Sequence, residues 1–200
     1  MSWIKVISFE EATGKLKRLY EKITGPNNNV DNIMLVHGLR PHTMTGHMSL
    51  YKNVLHNSNN TLPKWFLETI GVYVSILNRC EYCVDHHFEG LKRLLNNDVK
   101  SNQIKLDLEN DNTAFSEEKF NSALQYAKKL TLNASELKEA DVISLRDSSL
   151  TDGEILEINQ VVSYFNYANR TVLGLGVSTK GDIIGLSPNN SDDEHNWNHQ

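Results

Sequence analysis

The chain holds only two cysteines, in the stretch Asn78-Arg79-Cys80-Glu81-Tyr82-Cys83-Val84-Asp85-His86-His87. A thiol pair at this spacing can cycle between dithiol and disulfide, and with a nearby imidazole it can also hold a metal. On a helix stepping about 100° per residue, Cys83 falls roughly 60° to one side of Cys80 and His87 falls between them. The three share one narrow face, whereas His86 falls well to the side and is expected not to belong with them. Two sulfurs then lie within bridging reach, with an imidazole one turn above Cys83.

Thiolate is the reactive form, so such a site needs something that lowers a thiol pKa from its usual value of about 8.5. A helix N-terminus supplies backbone N–H groups and a positive dipole end, strongest at Cys80 and fading within a turn. His87 can serve Cys83 as a base if a further group orients its second nitrogen. Glu68, in the apolar segment before the cysteines, is the candidate for that group. An ionised carboxylate is costly to bury alone, so its presence there needs an explanation. A structural salt bridge to Arg79 or Lys92 is the plainer one.

Other chemistries fit the same residues less completely. A thioredoxin-like motif needs a preceding strand and a βαβ context. A zinc site needs about four ligands, and Cys80, Cys83 and His87 would require His47, His56 or Glu68 to complete it. Two inert buried cysteines also satisfy the pattern, since free cysteine is among the most buried residue types.

The elements that must position these residues read as helices nearly throughout. Apolar residues recur at three- and four-residue steps, no alternating strand pattern of useful length is present, and the fold class is all-α. Ser8-Phe9-Glu10-Glu11 reads as a capping box opening a helix that runs to about Ile23. A short helix over Val30 to Leu39 precedes another that starts at Pro41 and carries Met44, Met48, Tyr51 and Leu55 on one face. Thr61-Leu62-Pro63 caps a helix to Leu77 that is apolar almost all round and therefore central. Asn78 is expected as N-cap of the cysteine helix, which runs to about Leu95. Further helices are expected near Val99 to Leu106, from Ser116 with a Phe115–Phe120 staple, and over Leu137 to Arg146. A last, long one opens at the capping box Thr151-Asp152-Gly153-Glu154. The β-branched runs over Val72 to Ile76 and Thr171 to Val177 weaken the helical reading locally. Residues 1–188 read as a single helical domain and 189–200 as a polar, disordered tail.

A net charge of −5 with scattered Lys and Arg gives no basic stripe for nucleic acid. No segment resembles a signal peptide, and no apolar run reaches membrane-spanning length, so no membrane partner is expected. Two closely spaced cysteines do not resemble a secreted disulfide framework, which points to the cytoplasm.

Glu68, eleven residues, then Cys80-Glu81-Tyr82-Cys83-Val84-Asp85-His86-His87 resembles the Glu…Cys-x-x-Cys-x-x-x-His signature of alkylhydroperoxidase D. That family lies within the carboxymuconolactone decarboxylase-like superfamily. The likeness to its peroxidase-related branch extends to Glu11-Ala12-Thr13-Gly14, Leu39-Arg40-Pro41 and Val162-Ser163-Tyr164-Phe165-Asn166-Tyr167-Ala168-Asn169-Arg170, and covers about Ile4 to Val177. The resemblance implies an all-α helical bundle with the cysteine pair at the N-terminus of a central helix. It implies assembly of identical subunits, commonly trimers or hexamers. It also implies a thiol-dependent peroxidase that reduces organic hydroperoxides: Cys83 attacks the peroxide, Cys80 resolves the sulfenic acid as a disulfide, and His87 and Glu68 relay the proton. A lipoyl-type or thioredoxin-like dithiol would regenerate the pair.

No haem, flavin or other cofactor is implied, and decarboxylation is disfavoured because decarboxylase members lack the cysteine pair. One departure stands out. The family has histidine where this chain has Tyr82, a candidate auxiliary group that donates a hydrogen bond but is a poor base near neutral pH. That substitution points to slower peroxidase turnover or to disulfide exchange. The rival reading is a non-catalytic redox-sensing or zinc-binding helical oligomer.

Overall fold

The computed structural model describes residues 2–24, 28–112 and 115–185. The tail expected over 189–200 lies outside the described residues. Among them are nine α-helices and no strand. These are α1 (Gly14–Ile23), α2 (Asn32–Leu35), α3 (Pro41–Leu55), α4 (Lys64–Leu77), α5 (Glu81–Leu95), α6 (Asp98–Glu109), α7 (Glu118–Leu132), α8 (Glu139–Asp147) and α9 (Asp152–Leu175).

Helix α4 is the axis of the molecule. Every residue from Phe66 to Ser75 is buried, and α5, α9, α7, α6 and α3 all pack on it. The main core gathers Phe66, Ile70 and Tyr73 of α4 with Leu91 of α5, Leu124 of α7 and Phe165 of α9. Fully burying such a side chain contributes about 1.5–3 kcal/mol, so α4 is held by its surroundings despite its β-branched run. Its buried Thr69 and Ser75 hydroxyls are satisfied within the helix, donating to the Trp65 and Gly71 carbonyls at 2.8 Å each, and Tyr73 donates to Asp111 at 2.7 Å. Gly71 is where α9 comes closest, because a Cβ there would collide with the Phe165 ring.

Both β-branched runs are helical. The second ends where Gly176 takes a left-handed conformation (φ 60°) and Val177 N–H reaches back to the Val172 carbonyl at 3.0 Å. Glycine is required there twice over, since the Trp3 ring lies where a side chain would go.

Several helix ends differ from the sequence expectation. Ser8 and Glu11 do exchange the reciprocal capping-box bonds, at 3.2 Å each, yet they close a turn. Gly14 has φ 56°, which breaks the path, and α1 starts only there. The short helix expected over Val30 to Leu39 is helical only over α2 and continues as turns. Thr61 is not a cap; its N–H and hydroxyl, with the Leu62 N–H, bind the Glu157 carboxylate at 2.8–3.1 Å. Helix α7 begins two residues after Ser116, while Phe115 and Phe120 do meet at 6.0 Å between ring centroids. The box at Thr151 and Glu154 caps α9 as expected. Among the described residues, no helix is long and apolar enough to cross a membrane.

Candidate active site

The cysteine pair sits at a helix-to-helix junction. Asn78 closes α4 as its last αR residue, and Arg79 takes a left-handed conformation (φ 56°). Arg79 N–H bonds the Ile76 carbonyl and Cys80 N–H the Ser75 carbonyl, both at 2.9 Å. This is a Schellman closure built without the usual glycine, at a cost of roughly 1 kcal/mol for the left-handed residue. Cys80 therefore ends one helix and caps the next: it is the N-cap of α5. The expectation that Asn78 would be that cap is corrected. Its side chain instead donates to Asn166 at 3.0 Å and Asn169 at 2.9 Å on α9.

Cys80 is fully buried and Cys83 is 3% exposed. Both are free thiols with sulfurs 3.1 Å apart. The Cys83 thiol hydrogen-bonds Cys80 and holds its pKa below the ordinary thiol value; burial opposes this, and the Cys83 backbone N–H assists. Cys83 is pushed well above that value, first by its bond to Cys80 and then by burial. The amide of Asn169 pulls Cys83 back down. Of the reduced pair, Cys80, at the helix N-terminus, is therefore the thiol that gives up its proton more readily.

His87 Nδ1 lies 2.8 Å from Glu68 Oε2, and Glu68 is 1% exposed. The buried carboxylate of α4 thus has its partner on α5. The alternative bridge to Lys92 is not formed, since that ammonium pairs with Glu89 at 2.9 Å. Phe165 packs edge-on against the His87 ring at 4.5 Å.

Cys83 and His87 both line a cavity of about 70 Å³, together with His47, Tyr51, Tyr164 and the apolar side chains Ile23, Ile33, Met34, Met48 and Ala168. Cys80 does not line it. His86 does, which corrects the expectation that it stands apart, along with Tyr82 and Asp31. The helical wheel places His86 to the side of the thiol face, but the cavity wraps around that side as well.

The Tyr82 hydroxyl is engaged by groups outside the thiol pair. It donates to Asp182 Oδ2 at 2.8 Å and accepts the Ile33 N–H at 3.2 Å. Asp182 also accepts the Asn32 N–H at 3.1 Å, and its Oδ2 lies 3.4 Å from His86 Nε2. The Asn32 side chain holds the Ser178 and Lys180 carbonyls at 2.8 and 3.1 Å. Tyr82 is thus the middle of a clamp joining α2, the first turn of α5 and the segment after α9. Asp31, beside it, has its carboxyl raised to about 6, mainly by burial, with His86 opposing and Asp182 adding.

The proposed zinc ligands do not converge. His47 pairs with Tyr164, His56 stacks on Tyr51 at 4.5 Å and Glu68 is held by His87. Among the described residues, no group of three His, Cys, Asp or Glu side chains is placed to hold a metal ion.

This arrangement of helices recurs in known structures. An uncharacterized peroxidase-related protein from Ralstonia eutropha JMP134, described as an alkylhydroperoxidase AhpD core, superposes with TM-score 0.76 at 22% identity, over 88% of this chain and 91% of that one. The chain has the alkylhydroperoxidase D-like fold. A peroxidase-related protein from Silicibacter sp. TM1040 gives TM-score 0.73 at 23% identity, over 88% and 91% of the two chains. The debrominase Bmp8 gives 0.65 at 17%, over 82% and 85%. No protein-family model and no curated protein matches the chain.

Asn169, Tyr164, Asp31 and Asp182 were not singled out as site residues from sequence, and His47 was considered only as a zinc ligand. For Asn169 a signal existed: an amide one position past Ala168 on the inward face of α9, where the neighbours are apolar. For Asp182 there was none, because it follows the last helix and is 150 positions from Asn32.

Proposed function

We propose that the protein is a thiol-dependent peroxidase, or disulfide oxidoreductase, that reduces organic hydroperoxides through Cys83 and Cys80. The observation that carries this reading is the continuous set from Glu68 through His87 to a cavity that Cys83 borders and Cys80 does not. Cys83 is the sulfur a substrate can reach, and Cys80 is the sulfur placed to trap its oxidised form.

The chemistry balances in three steps. Cys83 gives its proton to His87, held by Glu68, and the thiolate attacks the terminal oxygen of ROOH. The O–O bond breaks, Cys83 becomes a sulfenic acid, and the alkoxide takes the proton from His87 to leave as ROH. Cys80 then attacks the Cys83 sulfur; the S–O bond breaks, the Cys80 thiol proton leaves with the hydroxyl as water, and the disulfide forms. An external dithiol, lipoyl-type or thioredoxin-like, reduces the disulfide and is itself oxidised. Assembly into trimers or hexamers of identical subunits belongs to the same proposal; Leu156, Tyr167 and Leu173 are exposed along α9, at 60%, 40% and 43%.

Counting thiols after one equivalent of hydroperoxide tests the reading. The expected result is a fall from two to none with an intramolecular disulfide. Two surviving thiols would overturn it in favour of a redox-silent helical protein.

A further inference from the structure

His47 projects from α3 into the same cavity as Cys83, and nothing in the peroxidase reading uses it. It is 3% exposed. Its Nε2 lies 3.2 Å from the Tyr164 hydroxyl, and its Nδ1 is buried without any hydrogen-bond partner. A buried polar atom left unpaired is costly, so an orphan beside a cavity needs a reason.

The tautomer follows from counting donors. Tyr164 is buried and its pKa is raised well above the ordinary phenol value, chiefly by that burial. It therefore keeps its proton, and His47 Nε2 is the acceptor within reach. With Nε2 accepting, the ring proton is on Nδ1. The opposite tautomer would leave two buried groups unsatisfied, the Tyr164 proton and Nδ1. His47 also stays neutral: burial first, then His37 and His87, hold its pKa at about 3. The side chain is a fixed, uncharged N–H donor at the wall of the thiol cavity.

We propose that His47 is a substrate-binding residue, its Nδ1–H donating a hydrogen bond to an oxygen of the hydroperoxide while Cys83 attacks. This rests on the peroxidase reading for the identity of the substrate. The oxygen concerned is the alkoxy oxygen, which gains negative charge as the O–O bond breaks, so the bond strengthens along the reaction. His87 delivers the proton to it, and His47 holds it in line.

Two rates measured on the full-length reduced protein, with its cysteines unaltered, separate this role from a structural one. One is oxidation of Cys83 by tert-butyl hydroperoxide; the other is its alkylation by iodoacetamide, which has no alkoxy oxygen to hold. His47→Leu should slow oxidation about tenfold and leave alkylation within about twofold, as expected for one lost hydrogen bond. His47→Asn, whose amide places an N–H near the position of Nδ1, should recover most of the oxidation rate. Equal slowing of both reactions in His47→Leu, or no recovery in His47→Asn, would overturn the proposal.

If His47→Leu does not fold, Tyr164→Phe decides. It frees Nε2 to carry the proton, and oxidation alone should slow. Oxidation unchanged in Tyr164→Phe would likewise overturn the proposal. A failure of the peroxidase reading registers differently, as no oxidation of Cys83 in the unmutated protein. In that case the Nδ1–H nitrogen resonance of His47 in Cys83→Ser is read with tert-butyl alcohol added. A shift retains the donor role toward an oxygen ligand, and no shift removes it.

Discussion

Glu68 Oε2 and His87 Nδ1 meet at 2.8 Å across the α4–α5 interface, with the carboxylate 1% exposed. The contact engages Nδ1, which leaves Nε2, on the opposite side of the ring, for the proposed proton transfer. It also makes the two residues one energetic unit. Replacing His87 by Leu leaves a buried carboxylate without its partner and should destabilise the protein by about 3 kcal/mol. Adding Glu68→Gln to that variant should recover part of the loss. Urea denaturation of the four proteins of this cycle checks it, and strictly additive effects would contradict a coupled pair.

Glu68→Gln alone keeps a hydrogen-bonding group opposite Nδ1 but removes the charge that supports an imidazolium. Alkylation and peroxide oxidation of Cys83 should both slow by about tenfold at neutral pH. An unchanged alkylation rate across pH would make Glu68 purely structural.

The two cysteines should respond differently. Cys83→Ser removes the sulfur that borders the cavity and should abolish hydroperoxide consumption. Cys80→Ser should leave one turnover and a sulfenic acid that dimedone traps, because the resolving thiol is gone. Equal activity in both variants would contradict the assignment.

Tyr82→Phe should test the clamp. It loses the bonds to Asp182 and to the Ile33 N–H and should cost about 1–2 kcal/mol in thermal or chemical unfolding. Alkylation of the cysteines in the folded protein should change little, since the hydroxyl is committed to Asp182 and Ile33. A large fall in thiol reactivity without loss of stability would restore Tyr82 as a chemical participant.

Asp31 should give stability a measurable pH slope. Its carboxyl is raised from 3.8 to about 6 in the folded state, so between those values the native protein holds a proton that the unfolded chain has released. The favourable contribution is complete below about pH 4 and is lost as pH rises through about 6. Asp31→Asn should therefore be more stable than the unmutated protein above pH 6, by about 2 kcal/mol, with the gap closing below pH 4. Denaturation curves at pH 4 and pH 7 read the difference directly, and a gap that does not change with pH would contradict it.

The sequence by itself determined the all-α class, the central place of α4 and the membership of Cys80, Cys83, His87 and Glu68 in one site. The class, α4 and the shared face of Cys80, Cys83 and His87 follow from local periodicity, whereas Glu68 was signalled by a lone carboxylate in an apolar helix and by the spacing of the resemblance. The boundary at Asn78 was misjudged because a Schellman closure is normally signalled by glycine, and here Arg79 takes the left-handed position. The order of proton loss within the thiol pair, the buried His47 donor, the Asn169 amide against Cys83 and the cavity face of His86 were decided only by the tertiary structure. So was the Asp182 clamp on Tyr82. Each of these depends on which groups are brought together from distant helices and what water is excluded between them, and a one-dimensional spacing rule carries neither quantity.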